Sequence, residues 1–356
     1  YANKVYDLRN NLTSSVTINF KMKLNKSSLD LTDLSIYSVE NAYSSYTFIP
    51  REIVTIKNEH FDLRGNARYV YEDHYSIADG ITSLNQMLEM DVKTKKQISI
   101  KTVNSIGNQE YGSVTYNKKF NFQNSVLEKT VYHYGINDSK VKQYTYGETI
   151  ENRYDIRNRQ IENITATFAM TLQSGGDNTN YLQYEHTYES MSISETREFD
   201  PSGKYAAKVY KRDYALTDEA KNSVSDVLDE KGKIKLTRGS DKFVASAEAF
   251  QEESGSYSLS QNFTSEGVAQ NVLVSNYVME NGSRYYVDGS FKVSTLLEGL
   301  VIQTDTYDLY YDLKDETKIP DDFSDYKVSV VSKKKKNVLQ DSDGNYLFDD
   351  FDNILE

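Results

Sequence analysis

A strict alternation of apolar and polar residues near the start of the chain most constrains its fold. From Val16 to Leu24 every even position is apolar, and every odd position is Thr, Asn or Lys. Successive side chains of a β-strand point to opposite faces, so this segment is predicted to be a strand with one buried and one solvent-facing side. Similar runs recur along the sequence, and sheets with one wet face are typically antiparallel. Only three prolines occur in 356 residues, which agrees with long uninterrupted ladders.

Two segments have apolar residues at the spacing of a helix. The first is Ser76–Met90, in which four apolar residues recur at intervals of three and four. The second is predicted to begin after Thr217, a residue type that caps helix N-termini, and two acidic residues follow it in the first turn. Ala220 and Val224 lie on the apolar stripe of this second helix.

The sequence also contains an internal repeat. Val16–Leu24 matches Ile164–Leu172 in phase, with Thr, Phe, Met and Leu coinciding at an offset of 148. The motif Phe61-Asp62-x-x-Gly65 then matches Phe199-Asp200-x-x-Gly203, and each copy leads into a predicted helix. The order of these blocks favours a tandem duplication with a period of whole-domain size. The alternative is two ordinary antiparallel sheets of similar composition.

Together these patterns predict an α+β fold dominated by β-structure and built from two tandem duplicated modules. Each module would be a long-stranded antiparallel sheet, curved or half-barrel in shape, with one helix packed on it. The predicted first module covers residues 1–150 and the homologous second module covers residues 151–331. Residues 332–356 are predicted to form a C-terminal Lys-rich turn and hairpin.

Composition excludes several classes of protein. The chain has no cysteine, which rules out a disulfide scaffold and cysteine-ligated metal or haem sites. Its net charge of −12 disfavours nonspecific binding to nucleic acid or to an anionic membrane. No apolar run reaches the roughly 20 residues of a transmembrane segment. The 30 tyrosines must supply much of the buried area, either as cross-strand pairs or, in part, as an exposed recognition face.

No catalytic motif is evident in the sequence. The four histidines do not have the helical spacing of a zinc pair, and no nucleophile elbow, phosphate-binding loop or zinc-protease motif occurs. The chain has 53 acidic residues, so paired carboxylates are expected by chance. We therefore expect a non-enzymatic protein that requires no cofactor.

One acidic string has the character of a metal site. Asp341, Asp343 and Asn345 are close in sequence and offer the clustered oxygen ligands that calcium prefers. Gly344 stands two places earlier than in a helix-loop-helix calcium motif. A hairpin turn accounts for the same residues, so a calcium site and a simple turn are both open interpretations.

The strand rich in Thr, Phe and Met, followed by a hairpin, a helix and further long strands, resembles the LolA/LppX-like bacterial lipoproteins. The later segments Tyr285–Gly289, Leu300–Leu313 and Lys318–Tyr326 resemble the closing strands of Gram-positive members, which run through a Tyr-rich strand to an Ile-Pro segment. The resemblance is one of pattern and covers about half of the second copy. It implies a curved, incomplete β-barrel, capped by helices, that encloses an apolar cavity for lipid.

Apolar residues between each sheet and its helix are the predicted ligand-binding set. They are Phe20, Met22, Ile81, Leu84, Phe168, Met170, Ala220 and Val224. We expect a binding protein that carries a lipid or amphipathic small molecule, or that recognises a surface protein or glycan on a Tyr-rich sheet face. The alternative is a structural protein of the bacterial cell surface that associates through sheet edges or faces.

The absence of cysteine fits a bacterial extracytoplasmic protein, secreted or held at the cell surface and of Gram-positive type. The sequence begins at Tyr1 without a methionine. We therefore expect a signal segment, with a lipid anchor as one form, upstream of Tyr1.

Overall fold

The computed structural model of this chain shows a protein that is almost entirely β. It describes residues 2–24, 46–90, 97–217, 227–230, 233–238, 243–245, 249–265, 267–297, 300–310 and 327–335.

Fifteen strands form one large sheet in which each strand lies beside its neighbours in the chain. The strands pair in antiparallel fashion, for example Ala2–Tyr6 with Leu12–Leu24 and Tyr46–Phe61 with Ala67–Ile77. In sheet order they are β1 (Ala2–Tyr6), β2 (Leu12–Leu24), β3 (Tyr46–Phe61), β4 (Ala67–Ile77), β7 (Gly107–Phe120), β8 (Val126–Ile136), β9 (Lys142–Tyr154), β10 (Gln160–Leu172), β11 (Tyr184–Phe199), β12 (Ala206–Leu216), β15 (Phe250–Phe263), β16 (Ala269–Glu280), β17 (Ser283–Leu297), β18 (Leu300–Tyr310) and β19 (Lys327–Lys335).

Two small hairpins interrupt this order. Strand β5 (Leu88–Met90) pairs with β6 (Gln97–Ile100) in the connection between β4 and β7. Strand β13 (Leu236–Arg238) pairs with β14 (Phe243–Ala245) in the connection between β12 and β15. Both connections therefore leave the large sheet, form a hairpin and return to the next position in it.

The predicted α+β fold of two helix-on-sheet modules is wrong. Within the described residues the only α-helix is α1 (Val103–Ile106), which has four residues. The predicted helix at Ser76–Met90 is instead the end of β4, a loop, a 3-10 turn at Leu84–Met87 and strand β5. Gly80 has a φ of 84°, which no right-handed helix tolerates. The apolar spacing has a different cause, because Ile81 and Leu84 fold back onto the sheet from a loop and a turn. Residues 218–226, which hold most of the second predicted helix, lie outside the described residues.

The strand predictions agree with the structure where the alternation is strictest. In β2, Ile18 is buried and Asn19 is exposed, as the pattern requires. In β10, the even positions from Glu162 to Met170 are all buried. Both segments matched by the internal repeat are therefore β-strands, and each presents one face to a core.

Backbone contacts divide the chain into two compact units. The first consists of residues 1–149 and 168–187, and the second of residues 150–167 and 188–356. In the first unit an aliphatic core gathers around β2, β3 and the β4–β7 connection. Its buried members are Ile18, Ile53, Tyr75, Leu84, Met87, Leu88 and Ile106.

Tyrosines supply much of the remaining core in both units. In the first unit Tyr132 stacks on Tyr181 at 4.4 Å between ring centroids, and Tyr144 meets Tyr184 edge to face at 5.5 Å. In the second unit the buried tyrosines are Tyr188, Tyr210, Tyr214, Tyr257, Tyr277 and Tyr286. A Tyr-rich buried core therefore takes the place of aliphatic bulk, as the composition requires.

Candidate recognition groove

The structure places some of the predicted ligand-binding residues in cores. Leu84 is buried in the aliphatic core of the first unit, and Phe20 and Ile81 pack against that core. Phe168 is completely buried, and its ring stacks on His186 at 4.3 Å. The ligand-binding role of these side chains stays a prediction.

The structure places only part of the remaining predicted site residues. Met22 belongs to β2 and Met170 is a buried residue of β10. The side chain of Met22 and the predicted residues Ala220, Val224, Asp341, Asp343 and Asn345 lie outside the described residues. In the ranges that the structure describes, no three or more His, Asp or Glu side chains are arranged to hold a metal ion.

A groove of about 550 Å³ crosses strands β4, β7, β8 and β9 in the first unit. We name this concavity, which has polar and aromatic walls, the recognition groove. Its lining residues are Glu72, His74, Tyr111, Gly112, Ser113, His133, Tyr134, Gly135, Thr145 and Tyr146.

The register of the strands builds the groove floor from two rows of cross-strand partners. Such partners project from the same face of a sheet. One row runs through His74, Tyr111 and Gly135, and a Cβ placed on Gly135 would meet no atom within 4 Å. Gly135 therefore leaves open space beside the Tyr111 ring. The second row, two positions along each strand, consists of Glu72, Ser113 and His133.

Two stacked pairs of aromatic rings line the groove. His74 stacks on Tyr111 with ring centroids 4.4 Å apart and planes 13° apart. His133 stacks on Tyr146 at the same distance and at 15°. Tyr111 is 50% exposed and Tyr146 is 44% exposed, although both are large aromatic residues. Each histidine thus holds an exposed tyrosine ring in a fixed plane.

Two carboxylates hold His74 from both sides. Its Nδ1 lies 2.7 Å from Glu52 Oε1, and its Nε2 lies 2.8 Å from Glu72 Oε1. Burial alone would lower the pKa of His74, but the hydrogen bonds to these carboxylates, together with their charges, raise it above its ordinary value. The hydrogen bond from His74 also lowers the pKa of Glu52. His74 is therefore charged over a wider pH range than a free histidine.

His133 is in the opposite electrostatic state. Burial lowers the pKa of His133, and the charges of Glu148 and Glu72 oppose that shift only in part. At neutral pH the groove and its margin therefore carry at most one imidazolium, at His74, against the carboxylates of Glu52, Glu72 and Glu148. The excess of negative charge suits a cationic ligand group.

The groove brings a serine and a histidine onto neighbouring strands. Ser113 and His133 are cross-strand partners, but among the described residues no hydrogen bond joins the serine hydroxyl to the imidazole. A nucleophile is activated by a base within hydrogen-bond reach. Exposed aromatic rings beside carboxylates instead favour binding of a cation.

Sequence reasoning did not find this groove. His133 lies between Tyr132 and Tyr134, a pattern that indicates only a strand histidine with tyrosines on the other face. The pair Glu72-x-His74 indicates that a carboxylate and an imidazole share one face. Neither pattern shows that β4 and β8 both pair with β7, which brings these residues together.

Comparisons with known proteins add no family. No protein-family model and no curated protein matches the sequence. The resemblance to the LolA/LppX-like lipoproteins therefore stays a prediction. Among the helices of the described residues, none has the length and apolar character needed to cross a membrane.

Proposed function

We propose that this chain is a non-enzymatic binding protein that captures a basic side chain of a partner protein in the recognition groove. The observation that carries this proposal is the pair of exposed tyrosines, Tyr111 and Tyr146, each stacked on a histidine beside the open floor at Gly135. A Tyr-rich sheet face that binds a partner is one of the two roles that the composition leaves open for the tyrosines.

A guanidinium or ammonium group fits the groove for two reasons. The face of an aromatic ring attracts a cation by about 0.5–2 kcal/mol, depending on how far the cation is desolvated. The carboxylates of Glu52 and Glu72 together outweigh the charge of His74, so the local field is negative. The volume of about 550 Å³ lies within the usual range of ligand pockets, about 300–1,000 Å³.

The cellular setting is part of the proposal. We place the protein outside the cytoplasm of a bacterium. The absence of cysteine in 356 residues supports this location. A lipid ligand remains a proposal supported by sequence pattern only. Assembly through sheet faces is the competing function.

Histidine resonances offer a direct test, because the chain has only four histidines. Two of them, His74 and His133, line the groove, whereas His60 is exposed elsewhere and His186 is stacked on Phe168. We expect that titration with N-acetyl-arginine amide shifts the imidazole signals of His74 and His133 and leaves the other two unchanged. The neutral analogue N-acetyl-citrulline amide should cause no shift.

Substitution at the groove floor provides the matched variants. Gly135→Leu should fill the open space beside Tyr111 and abolish the shifts without loss of stability, since a Cβ at Gly135 is in open space. Tyr310→Ser removes another exposed tyrosine, 57% exposed and in the second unit, and should change nothing. Equal response to arginine and citrulline, or none to either, contradicts the proposal. A response to chitooligosaccharide alone assigns the groove to a glycan instead.

A further inference from the structure

Three hairpin turns at one end of the strands of the first unit share one geometry, which a fourth turn, residues 137–141, repeats at the opposite end. They are residues 7–11, 62–66 and 121–125, which join β1 to β2, β3 to β4 and β7 to β8. In each turn the first residue, Asp or Asn, accepts hydrogen bonds through its side-chain oxygen from the backbone N–H groups two and four residues later. The fourth residue of each turn has a positive φ: 64° at Asn10, 84° at Gly65 and 68° at Asn124.

These turns lie side by side and form one row. Because consecutive strands of the sheet are antiparallel, alternate connections fall at the same end. Arg64 Nη1 donates to the carbonyl oxygen of Asn121 at 2.6 Å, and Asn66 Nδ2 donates to Asn124 Oδ1 at 3.1 Å. The side chain of Asn11 lies against Gly65. We name this arrangement the turn row.

The second residue of every turn in the row is apolar and projects into solvent. Leu8 is 107% exposed, Leu63 is 98% exposed and Phe122 is 80% exposed. A single exposed leucine needs no explanation, but the same turn position is apolar three times in succession. Adjacent tips are two strands apart, about 10 Å, so they form separate projections and no continuous apolar patch.

The charges around the tips are more basic than the chain as a whole. Residues 6–12, 59–69 and 118–129 contain six Lys or Arg and four Asp or Glu, whereas the complete chain has a net charge of −12. The carboxylates of Asp7 and Asp62 accept backbone and Asn hydrogen bonds within their own turns, which hold the pKa of each below its ordinary value. Arg9 and Arg64 directly follow the apolar tips.

We propose that the turn row docks on the surface of a phospholipid bilayer that contains anionic headgroups. Leu8, Leu63 and Phe122 enter the boundary between headgroups and acyl chains, and the adjacent arginines contact phosphate groups. Separate apolar projections fit a fluid interface, which fills the space between them, better than they fit a rigid protein surface. Each basic residue near an anionic surface adds about 1 kcal/mol of attraction.

The second unit repeats the motif at residues 155–159. There Asp155 accepts from the backbone N–H groups of Arg157 and Arg159, and Asn158 has a φ of 60°. The second position is Ile156, which is 92% exposed and is followed by Arg157. The combination of an apolar tip and an arginine therefore recurs independently of the first unit.

Co-sedimentation with lipid vesicles tests the proposal. We expect the full chain to bind vesicles of phosphatidylcholine mixed with phosphatidylserine more strongly than vesicles of phosphatidylcholine alone, with an affinity that falls as salt is added. Leu63→Ser and Phe122→Ser should each lower the partition coefficient about tenfold. The triple variant with Leu8→Ser should abolish binding.

A matched control is Leu182→Ser, because Leu182 is also exposed, at 72%, in the first unit but lies on a different connection. This variant should bind vesicles as the unaltered chain does. All tips are exposed, so each variant should keep its thermal unfolding midpoint, and the triple variant should keep its histidine response to arginine.

Absence of binding to either vesicle, or binding that the triple variant retains, overturns the proposal. Loss of self-association in the triple variant, without vesicle binding by the parent, assigns the row to protein contacts and also overturns it.

Discussion

Tyr134 lies over Gly112 on the neighbouring strand, where a Cβ would stand 2.5 Å from the tyrosine hydroxyl oxygen. The missing side chain lets the ring cross strand β7, and the hydroxyl reaches Asp73 on β4. Lys142 Nζ covers the outer face of this ring at 4.3 Å from its centroid. In the second unit Tyr277 has the same relationship to Gly255.

Gly112→Ala should destabilise the protein by about 1–3 kcal/mol, the usual cost of overpacking a filled site. The new methyl group would collide with the backbone carbonyl of Glu72 as well as with Tyr134, and a backbone atom cannot turn aside. Denaturant unfolding measures the loss. Gly135→Ala is the matched control because its Cβ meets no atom within 4 Å. Equal stability of the two variants would show that the ring does not need the gap.

The two groove histidines should titrate on opposite sides of the ordinary value of 6.5. The raised pKa of His74 means that its contribution to stability is complete below pH 6.5 and is lost as pH rises through the folded-state pKa. The lowered pKa of His133 gives a contribution that is complete above pH 6.5 and is lost as pH falls. NMR titration of the imidazole protons measures both. Glu52→Gln should move the pKa of His74 downward and leave that of His133 nearly unchanged.

A buried ion pair in the second unit should show strong coupling. Arg212 Nη2 and Glu195 Oε2 are 3.7 Å apart, and both atoms are buried without a hydrogen-bond partner. Arg212→Met should cost about 1–3 kcal/mol, because it leaves the buried Oε2 of Glu195 without a partner, although Arg197 Nε still pairs with Oε1 at 3.1 Å. The double variant Arg212→Met/Glu195→Leu should recover most of that loss. Additive free energies of unfolding in the double-mutant cycle would contradict the coupling.

Tyrosine ionisation should occur in two stages as pH rises. Burial raises the pKa of Tyr181 to about 12 and raises the pKa of Tyr144, Tyr277 and Tyr286 still more clearly. A raised tyrosine pKa contributes stability that is present below about pH 10, the ordinary value, and is lost as pH increases further. Tyrosinate absorbance should therefore rise first for the exposed rings and then abruptly, together with unfolding. A single smooth titration of all 30 tyrosines would contradict a tyrosine core.

The sequence specified individual strands better than it specified the fold. The alternation from Val16 to Leu24 depends only on neighbouring residues, and β2 has the predicted buried face. The helix predicted at Ser76–Met90 was wrong because three-and-four spacing also arises when a loop and a turn pack back on a sheet. Local sequence does not distinguish these two cases.

The recognition groove lay beyond sequence reasoning for another reason. His74 and His133 are 59 positions apart, and only the register of β4, β7 and β8 places them on one face. Register depends on turn geometry and on the packing of both faces. The pattern of apolar residues also does not predict the register shift between His74 and Tyr75 in the pairing of β4 with β7.

The serial order of strands has a consequence for how the chain acquires its structure. Every pairing in the large sheet joins strands that are consecutive, apart from the two places where a small hairpin intervenes. Loop closure between neighbours is fast and costs little entropy compared with pairing of distant segments. Each strand leaving the ribosome can therefore add to the edge formed by the one before it. Assembly of the ladder can begin well before synthesis of the chain is complete.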